Sequence, residues 1–410
     1  MNKKKRFSFI IPTYQNKRLI KNTLQSLNRQ NGYSKEDYEA VVIDDGSTDG
    51  TCEYIQGVNT NYSIEYIYLH RSSKSSRARA RNAGISAAAG EIIVFIDGDM
   101  LIRENYLKEL DRCFRASEDI LVIGNRVMMT EEVSYEELTQ EECFKGSKFE
   151  INSFENLEIR HIIFKHLSYN SCCYIHPWLQ TFSCNMAVLK KHLDKNGGFD
   201  EGFKGWGIED VELGYRLYKS GLRIIINNRI EAFHQCHSSD HNLKISPQKY
   251  ANIELNALYF IEKHPEALDF SPKAILKMFK GKSLLSMDAV TGPRRRVSIN
   301  YRQSKELPAV KSEILRLSCR KGLKIIVNDF VEEDELDVWV QLLGTTQSTP
   351  AYFPQSKKRE LKMAMHTRTS LNMGSWFFML KLKGELGQAR RYCINITKGM
   401  RDGVWKKILK

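Results

Sequence analysis

The first hundred residues predict an α/β fold, a mostly parallel central sheet with helices on both faces. Three observations carry this. Short β-rich runs alternate with segments of helical spacing. The runs are apolar almost throughout, as strands covered on both faces must be. Polar clusters follow the strands, at the carboxyl edge where open sheets of this kind bind ligands.

Taken in order, Phe7–Ile11 is the first strand, and Lys17–Leu27 follows with Leu19, Ile20, Leu24 and Leu27 at helical spacing. Ala40–Ile43 is the second strand and runs into Asp44-Asp45-Gly46-Ser47. Thr48 is suited to cap a helix through Ile55. Ile64–Leu69 is the third strand. Ser76–Ala89 is Ala-rich and helical, and Gly90 stops it. Ile92–Ile96 is the fourth strand and ends at Asp97-Gly98-Asp99. Residues 130–170 are acidic and then mixed, and read as a helical insertion beside the ligand edge. Leu179–Leu189 resumes as strand then helix. Gly197–Gly207 is a loop rich in glycine and aromatics, Glu209–Ser220 a helix and Leu222–Asn227 a strand. Later the pattern is less regular. Helices are expected around 249–263 and 309–320, a charged loop at Gly292–Arg296, and short strands at 324–328 and 336–342.

Charge divides the chain. Residues 1–245 hold 32 Lys+Arg against 33 Asp+Glu, and residues 246–410 hold 30 against 16, so the whole net charge of +13 lies in the second part. A first domain over 1–245 and a smaller, mainly helical or mixed basic accessory domain over 246–410 are therefore expected. The second part is suited to contacts with acceptor, membrane or another copy. Lys273–Lys282 interleaves Lys273, Lys277, Lys280 and Lys282 with Ile275, Leu276, Met278 and Phe279, a stretch able to lie on an anionic membrane. Arg294–Arg296 and the Lys406, Lys407 and Lys410 tail add to it. No nucleic-acid partner is expected, and a homo-oligomer is left open.

No apolar run reaches the ~20 residues of a membrane span, and the apolar stretch after the basic start stops at Pro12, short of a secretory signal. The nine cysteines are scattered and odd in number, which argues against a disulfide framework. Cys172, Cys173, His176 and Cys184 lie close in sequence but lack Cys-x-x-Cys spacing, so buried thiols are expected rather than zinc. The chain reads as cytoplasmic, with peripheral contact at the inner face of the membrane allowed.

Pro12-Thr13-Tyr14, Asp44-Asp45 and Asp97-Gly98-Asp99 converge on one edge of the expected sheet. The first turn reads Ile-Pro-Thr-Tyr-Gln-Asn, not Gly-x-Gly-x-x-Gly, which excludes a nicotinamide or flavin site. No Walker-type phosphate loop is present. Carboxylates at Asp97 and Asp99, fixed by a strand end, suit a hard cation shared with substrate phosphates. A solvated turn would use the same residues.

Four segments together resemble the family 2 glycosyltransferases with the GT-A fold: Ile11-Pro12-Thr13-Tyr14, Asp44–Thr51, Ala80-Arg81-Asn82-Ala83-Gly84 and Phe95–Asp99. The resemblance implies a Rossmann-like sheet, and a nucleoside bordered by Pro12, Thr13, Tyr14 and Asp44. It also implies Asp99 on a metal, Mn²⁺ or Mg²⁺, Asp97 on the sugar or ribose, and Arg77 near the uracil or diphosphate. Gly197–Leu217, with Gly205-Trp206-Gly207-Ile208-Glu209-Asp210, is similar to the acceptor-side segment of bacterial chondroitin-type polymerases and galactosyl- or N-acetylgalactosaminyltransferases. That likeness makes Asp210 the catalytic base. Trp206 and Gly207 become walls of the sugar pocket, and Glu209 a holder of hydroxyls. Ile208 stands where relatives often carry glycine. Ala232–His237 completes the likeness, with His234 as a further metal ligand and His237 as the alternative. The resemblance spans roughly residues 5–240.

The function so implied is inverting transfer of a hexose or N-acetylhexosamine from a UDP-sugar to a hydroxyl. The acceptor would be a surface or lipid-linked glycan in bacterial polysaccharide synthesis, or else a peptide or protein side chain. A nucleotidyltransferase would need an early Gly-rich basic loop, which Asn16-Lys17-Arg18 is not. A protein that only binds anionic surfaces would leave the carboxylate clusters unexplained.

Overall fold

The computed structural model describes residues 5–140, 142–144, 160, 164, 171, 176–236, 247–267, 295–318, 323–331 and 351–352. Eight strands form one sheet: β1 (Phe7–Thr13), β2 (Tyr38–Asp44), β3 (Ser63–Tyr68), β4 (Ile92–Ile96), β5 (Met100–Ile102), β6 (Ile120–Met128), β7 (Asn185–Leu189) and β8 (Arg223–His234). Their order is β3-β2-β1-β4-β7-β6-β8-β5.

The apolar runs explain why this sheet is covered twice. Side chains alternate along a strand. Phe7, Phe9 and Ile11 of β1, Ala40 and Val42 of β2, and Ile92, Val94 and Ile96 of β4 enter one core. Ile10, Val41, Ile43, Ile93 and Phe95 enter the other. The first core is closed by α1 (Lys17–Ser26) and α4 (Tyr106–Ala116). The second is closed by α3 (Arg77–Ala87), which contributes Ala78, Ala80 and Ile85. Each large side chain so buried contributes about 1.5–3 kcal/mol.

The sheet is GT-A-like and mixed. β3, β2, β1 and β4 pair parallel. β7 runs antiparallel to both β4 and β6, β5 runs antiparallel to β8, and β6 and β8 are parallel. Because β7 is antiparallel to β6, it starts at the sheet edge where β6 ended. The expected insertion between them therefore departs from and returns to the ligand edge. Its described part includes α5 (Tyr135–Thr139).

Some boundaries differ from expectation. Helix α2 (Thr51–Gly57) starts three residues after Thr48. Gly50 is the N-cap, and Asp49 before it accepts from the Thr51 amide at 3.2 Å and its hydroxyl at 2.6 Å, and from the Lys17 amide of α1 at 2.8 Å. Leu179 and Gln180 end a 3-10 turn, and the strand and helix follow as β7 and α6 (Lys190–Asn196). The helix expected at Glu209–Ser220 is α7 (Glu209–Lys219), and β8 continues past Asn227 to His234.

Helix α8 (Pro247–Lys263) covers the expected 249–263 stretch. Ile253, Ala257, Phe260 and Ala267 belong to the same core as α3 and α7. The Phe260 ring stacks on Trp178, centroids 5.5 Å apart. The first unit's core thus continues past the 245/246 boundary that charge suggested, at least to Ala267. Charge marks what a surface faces, whereas α8 is placed by its apolar side.

Farther on, β9 (Arg295–Tyr301), α9 (Leu307–Ser318) and β10 (Leu323–Asp329) form a β-α-β unit, with β11 (Ala351–Tyr352) beside β10, all parallel. Ile299, Tyr301, Val310, Ile314, Leu317, Ile325 and Val327 make its small core. Arg295 and Arg296, expected in a loop, are exposed residues of β9. The strand expected at 336–342, the Lys273–Lys282 stretch, Arg294, Cys172, Cys173 and the lysines of the tail lie outside the described residues. Among the described residues no helix is long and apolar enough to cross a membrane.

Candidate active site

The carboxyl ends of β1, β2 and β4 open into a cleft of ≈ 390 Å³. Pro12, Thr13, Tyr14, Arg77, Asp97 and Asp99 all line it, as expected from the motifs. Helix α3 begins at its wall, where the Ser76 hydroxyl accepts from the Arg79 amide at 3.1 Å. The cleft thus meets a helix N-terminus, which favours anionic ligand groups.

Asp44 is the exception. It is fully buried, and its carboxylate accepts from the Ser47 amide at 2.7 Å and the Tyr66 hydroxyl at 2.9 Å, holding the turn. Its neighbour Asp45 faces the cleft instead. Asp45 is paired with Arg71, whose guanidinium lies 4.1 Å from the centre of the Tyr14 ring. Successive residues at a strand end point opposite ways. The carboxylate that the motif singles out is thus the inward one, and the only sequence signal for Arg71 is its place just past the third strand.

His234 reaches the site through the sheet. The β5–β8 register sets Met100 opposite His234, and the Gln235 amide donates to the Asp99 carbonyl at 3.0 Å. The Asp99 carboxylate and the His234 Nε2 stand 3.4 Å apart at the end of the two strands. A carboxylate oxygen and an imidazole nitrogen converging at that distance fit a divalent cation such as Mn²⁺. Among the described residues no three His, Cys, Asp or Glu side chains gather into a cage. A cation held by two such side chains would leave room for phosphate oxygens. His237 lies outside the described residues.

A buried arginine joins the two halves of the site. Arg81 donates to Asp97 at 3.0 Å and to Glu209 at 3.1 Å, with only 3% of its side chain exposed. Burial opposes its charge, but Asp97, Glu209 and Asp210 outweigh that and hold it firmly protonated. Arg81 lies in the Ala80–Gly84 segment, outside the residues to which the resemblance gives a role. Its signal was spacing: Ala78, Arg81 and Ile85 share one helix face, so a charge was aimed at the core.

Asp210 opens α7. Its carboxylate accepts from the Ser183 amide at 3.2 Å and from its neighbour Val211 at 2.9 Å. Burial, then the charge of Glu209, push it up to about 7, against the pull of Arg81 and the two amides. Trp206 packs partly buried against the core ahead of it, with Lys249 5.4 Å from its ring centre. Gly207 (φ +94°) and Ile208 (φ +80°) turn the chain into the helix through left-handed backbone. For a β-branched residue this is a strained state, of the kind held at functional sites.

Residues 8–175 match the family described as glycosyl transferase family 2, and residues 165–241 match the N-terminal domain of galactosyltransferase. Residues 8–241 thus carry a glycosyl transferase family 2 match followed by a galactosyltransferase-type match. The galactosyltransferase-type segment supplies Trp206, Glu209, Asp210 and His234, so the two matches meet across the Arg81 bridge. The validoxylamine A glucosyltransferase of Streptomyces hygroscopicus subsp. limoneus is 29% identical over 274 residues, 64% of this chain and 57% of that protein. The chondroitin synthase of Pasteurella multocida is 29% identical over 252 residues, 57% of this chain and 25% of that one. The chain therefore spans less than two thirds of the length of either. Among solved structures, Staphylococcus aureus TarS 1–349 in complex with UDP-GlcNAc aligns with a TM-score of 0.44 at 19% identity, covering 76% of this chain and 80% of that one.

Proposed function

We propose that this glycosyltransferase is metal-dependent and inverting. It moves a hexose or N-acetylhexosamine from a UDP-sugar to a hydroxyl of a surface or lipid-linked glycan. One observation carries the reading: Arg81 ties Asp97 of the donor cleft to Glu209, which adjoins Asp210, so donor and acceptor ends share one charged cluster. The relatives' names support the class, since they denote glucosyl transfer and chondroitin synthesis.

The donor's base lies against Tyr14, where Asp45 and Arg71 offer a hydrogen-bond acceptor and donor that suit uracil. Arg77 and the start of α3 receive the diphosphate. Asp99 and His234 would hold the divalent ion, which when bound neutralises charge on the departing nucleotide. Asp97, fixed by Arg81, orients the sugar, and Trp206 gives the acceptor ring a flat apolar face. The acceptor oxygen attacks the anomeric carbon as its proton passes to the Asp210 carboxylate, and the bond to the diphosphate oxygen breaks with its electron pair. Such an acceptor, if anionic or membrane-linked, also suits the basic residues 246–410.

The nucleotide half is tested by calorimetry with UDP. Wild-type protein is expected to bind UDP more tightly with Mn²⁺ than without, and His234→Ala to lose roughly tenfold or more of the metal-dependent affinity. Unchanged affinity in that variant would remove His234 from the metal site.

A further inference from the structure

We propose that Asn256 is a positioning residue of the acceptor site, through which α8 fixes the loop that carries Trp206 into Asp210. This rests on the glycosyltransferase reading above. It goes beyond that reading because α8 lies outside the matched segments, which end at residue 241.

Gly205, Gly207 and Ile208 are all left-handed, at φ +70°, +94° and +80°. Asn256, only 5% exposed, spends its whole amide on this loop. Its Nδ2 donates to the Lys204 carbonyl at 2.9 Å and the Gly207 carbonyl at 2.8 Å, and its Oδ1 accepts from the Lys204 amide at 3.1 Å. That uses both N–H groups and the carbonyl of the side chain. One turn earlier on the same helix face, Asn252 lies so close to Gly205 that a Cβ there would stand 2.5 Å from its Nδ2. Lys249, a turn before that, lies over the Trp206 ring. One face of α8 thus sets both the path of the loop and the surroundings of its indole.

Helix α8 is anchored independently of Asn256. Tyr259 donates to Asp200 at 3.0 Å, Lys263 pairs with Asp200 and Glu212, and His264 lies 2.9 Å from Glu212, which Arg216 also grips. Phe260 stacks on Trp178. Removing the Asn256 amide therefore leaves the helix docked and frees the loop. The donor cleft is touched by this loop only at Gly205.

The test compares Asn256→Ala and Asn256→Asp with wild type in three readouts. These are hydrogen exchange over residues 204–209, calorimetry of UDP with Mn²⁺, and steady-state transfer to a p-nitrophenyl hexoside acceptor. Asp keeps the volume and the acceptor oxygen but sets a carboxylate against two carbonyls, so a packing role would spare it and a hydrogen-bonding role would not. Both variants are expected to exchange the loop amides roughly tenfold faster, to raise the acceptor KM by a similar factor, and to keep UDP affinity and donor KM within about twofold. Wild-type exchange in the loop, an Asp variant that behaves as wild type, or a parallel loss of UDP affinity would overturn the proposal. Wild-type protein that fails to bind UDP would instead sink the underlying function while the exchange result still stood.

Discussion

Asp210→Asn is expected to lower sugar transfer by roughly 10²–10⁴-fold while UDP binding with Mn²⁺ stays unchanged. Asparagine keeps the shape at the start of α7 and can still accept from an amide, but it takes no proton. The pH dependence sharpens the expectation. A base works only as the carboxylate, and Asp210 sits at about 7 because burial and Glu209 disfavour its charge. Turnover in the wild type should therefore rise with pH, reach half its plateau near 7, and stay level above. The residual turnover of the Asn variant should lack that step. The sign for stability is the reverse. The native state binds a proton here that the unfolded chain releases near 4, so this group's contribution falls between about pH 4 and 7. At pH 8 the Asn variant should melt higher than wild type. A variant with near-normal turnover would remove Asp210 from the role of base.

Arg81→Lys is the second large effect. Arg81 reaches Asp97 and Glu209 with two different nitrogens, and a lysine ammonium lacks that planar fork. Asp97 and Glu209 then lose their fixed separation, and transfer should fall by roughly 10²-fold or more, as expected when reacting groups are misplaced by about 1 Å. Donor affinity should fall too, since Asp97 lines the donor cleft. Arg81→Ala is harsher, because it leaves carboxylates without their cation at a cost of about 3–5 kcal/mol. Arg81 also lowers the Asp210 pKa, so in the Ala variant the pH midpoint of any remaining activity should move upward. The pH profile separates the two readings of this arginine. Loss of activity with an unmoved midpoint would mean that Arg81 only stabilises the fold.

Most of the first sheet was legible because β1, β2 and β4 are apolar on both faces, and such runs have few other uses. β5 was not, since Met100–Ile102 is three residues long and gains its identity only by pairing with β8. The antiparallel β7 was legible as a strand but not in direction, because nothing within Asn185–Leu189 names its neighbours. Asp99 and His234, which the resemblance named as metal ligands, lie 3.4 Å apart because strand register sets Met100 opposite His234. Asp44 and Asp45 show the limit at a single site, since one residue of register decides which carboxylate faces the cleft. Arg81 and Asn256 were missed for a shared reason. A polar residue on a helix reads as solvated until its partners are known, and these lie 16 and 128 residues away for Arg81 and 49 to 52 for Asn256.

The central claim is that this cleft takes a UDP-sugar and that its sugar leaves toward Asp210. Its most direct measurement is nucleotide release by the wild-type chain from UDP-, GDP- and dTDP-sugars with Mn²⁺. UDP release from a UDP-hexose or UDP-N-acetylhexosamine is expected, lost without the metal and lost in Asp99→Ala. No release from any UDP-sugar, or release that survives Asp99→Ala, would contradict the account.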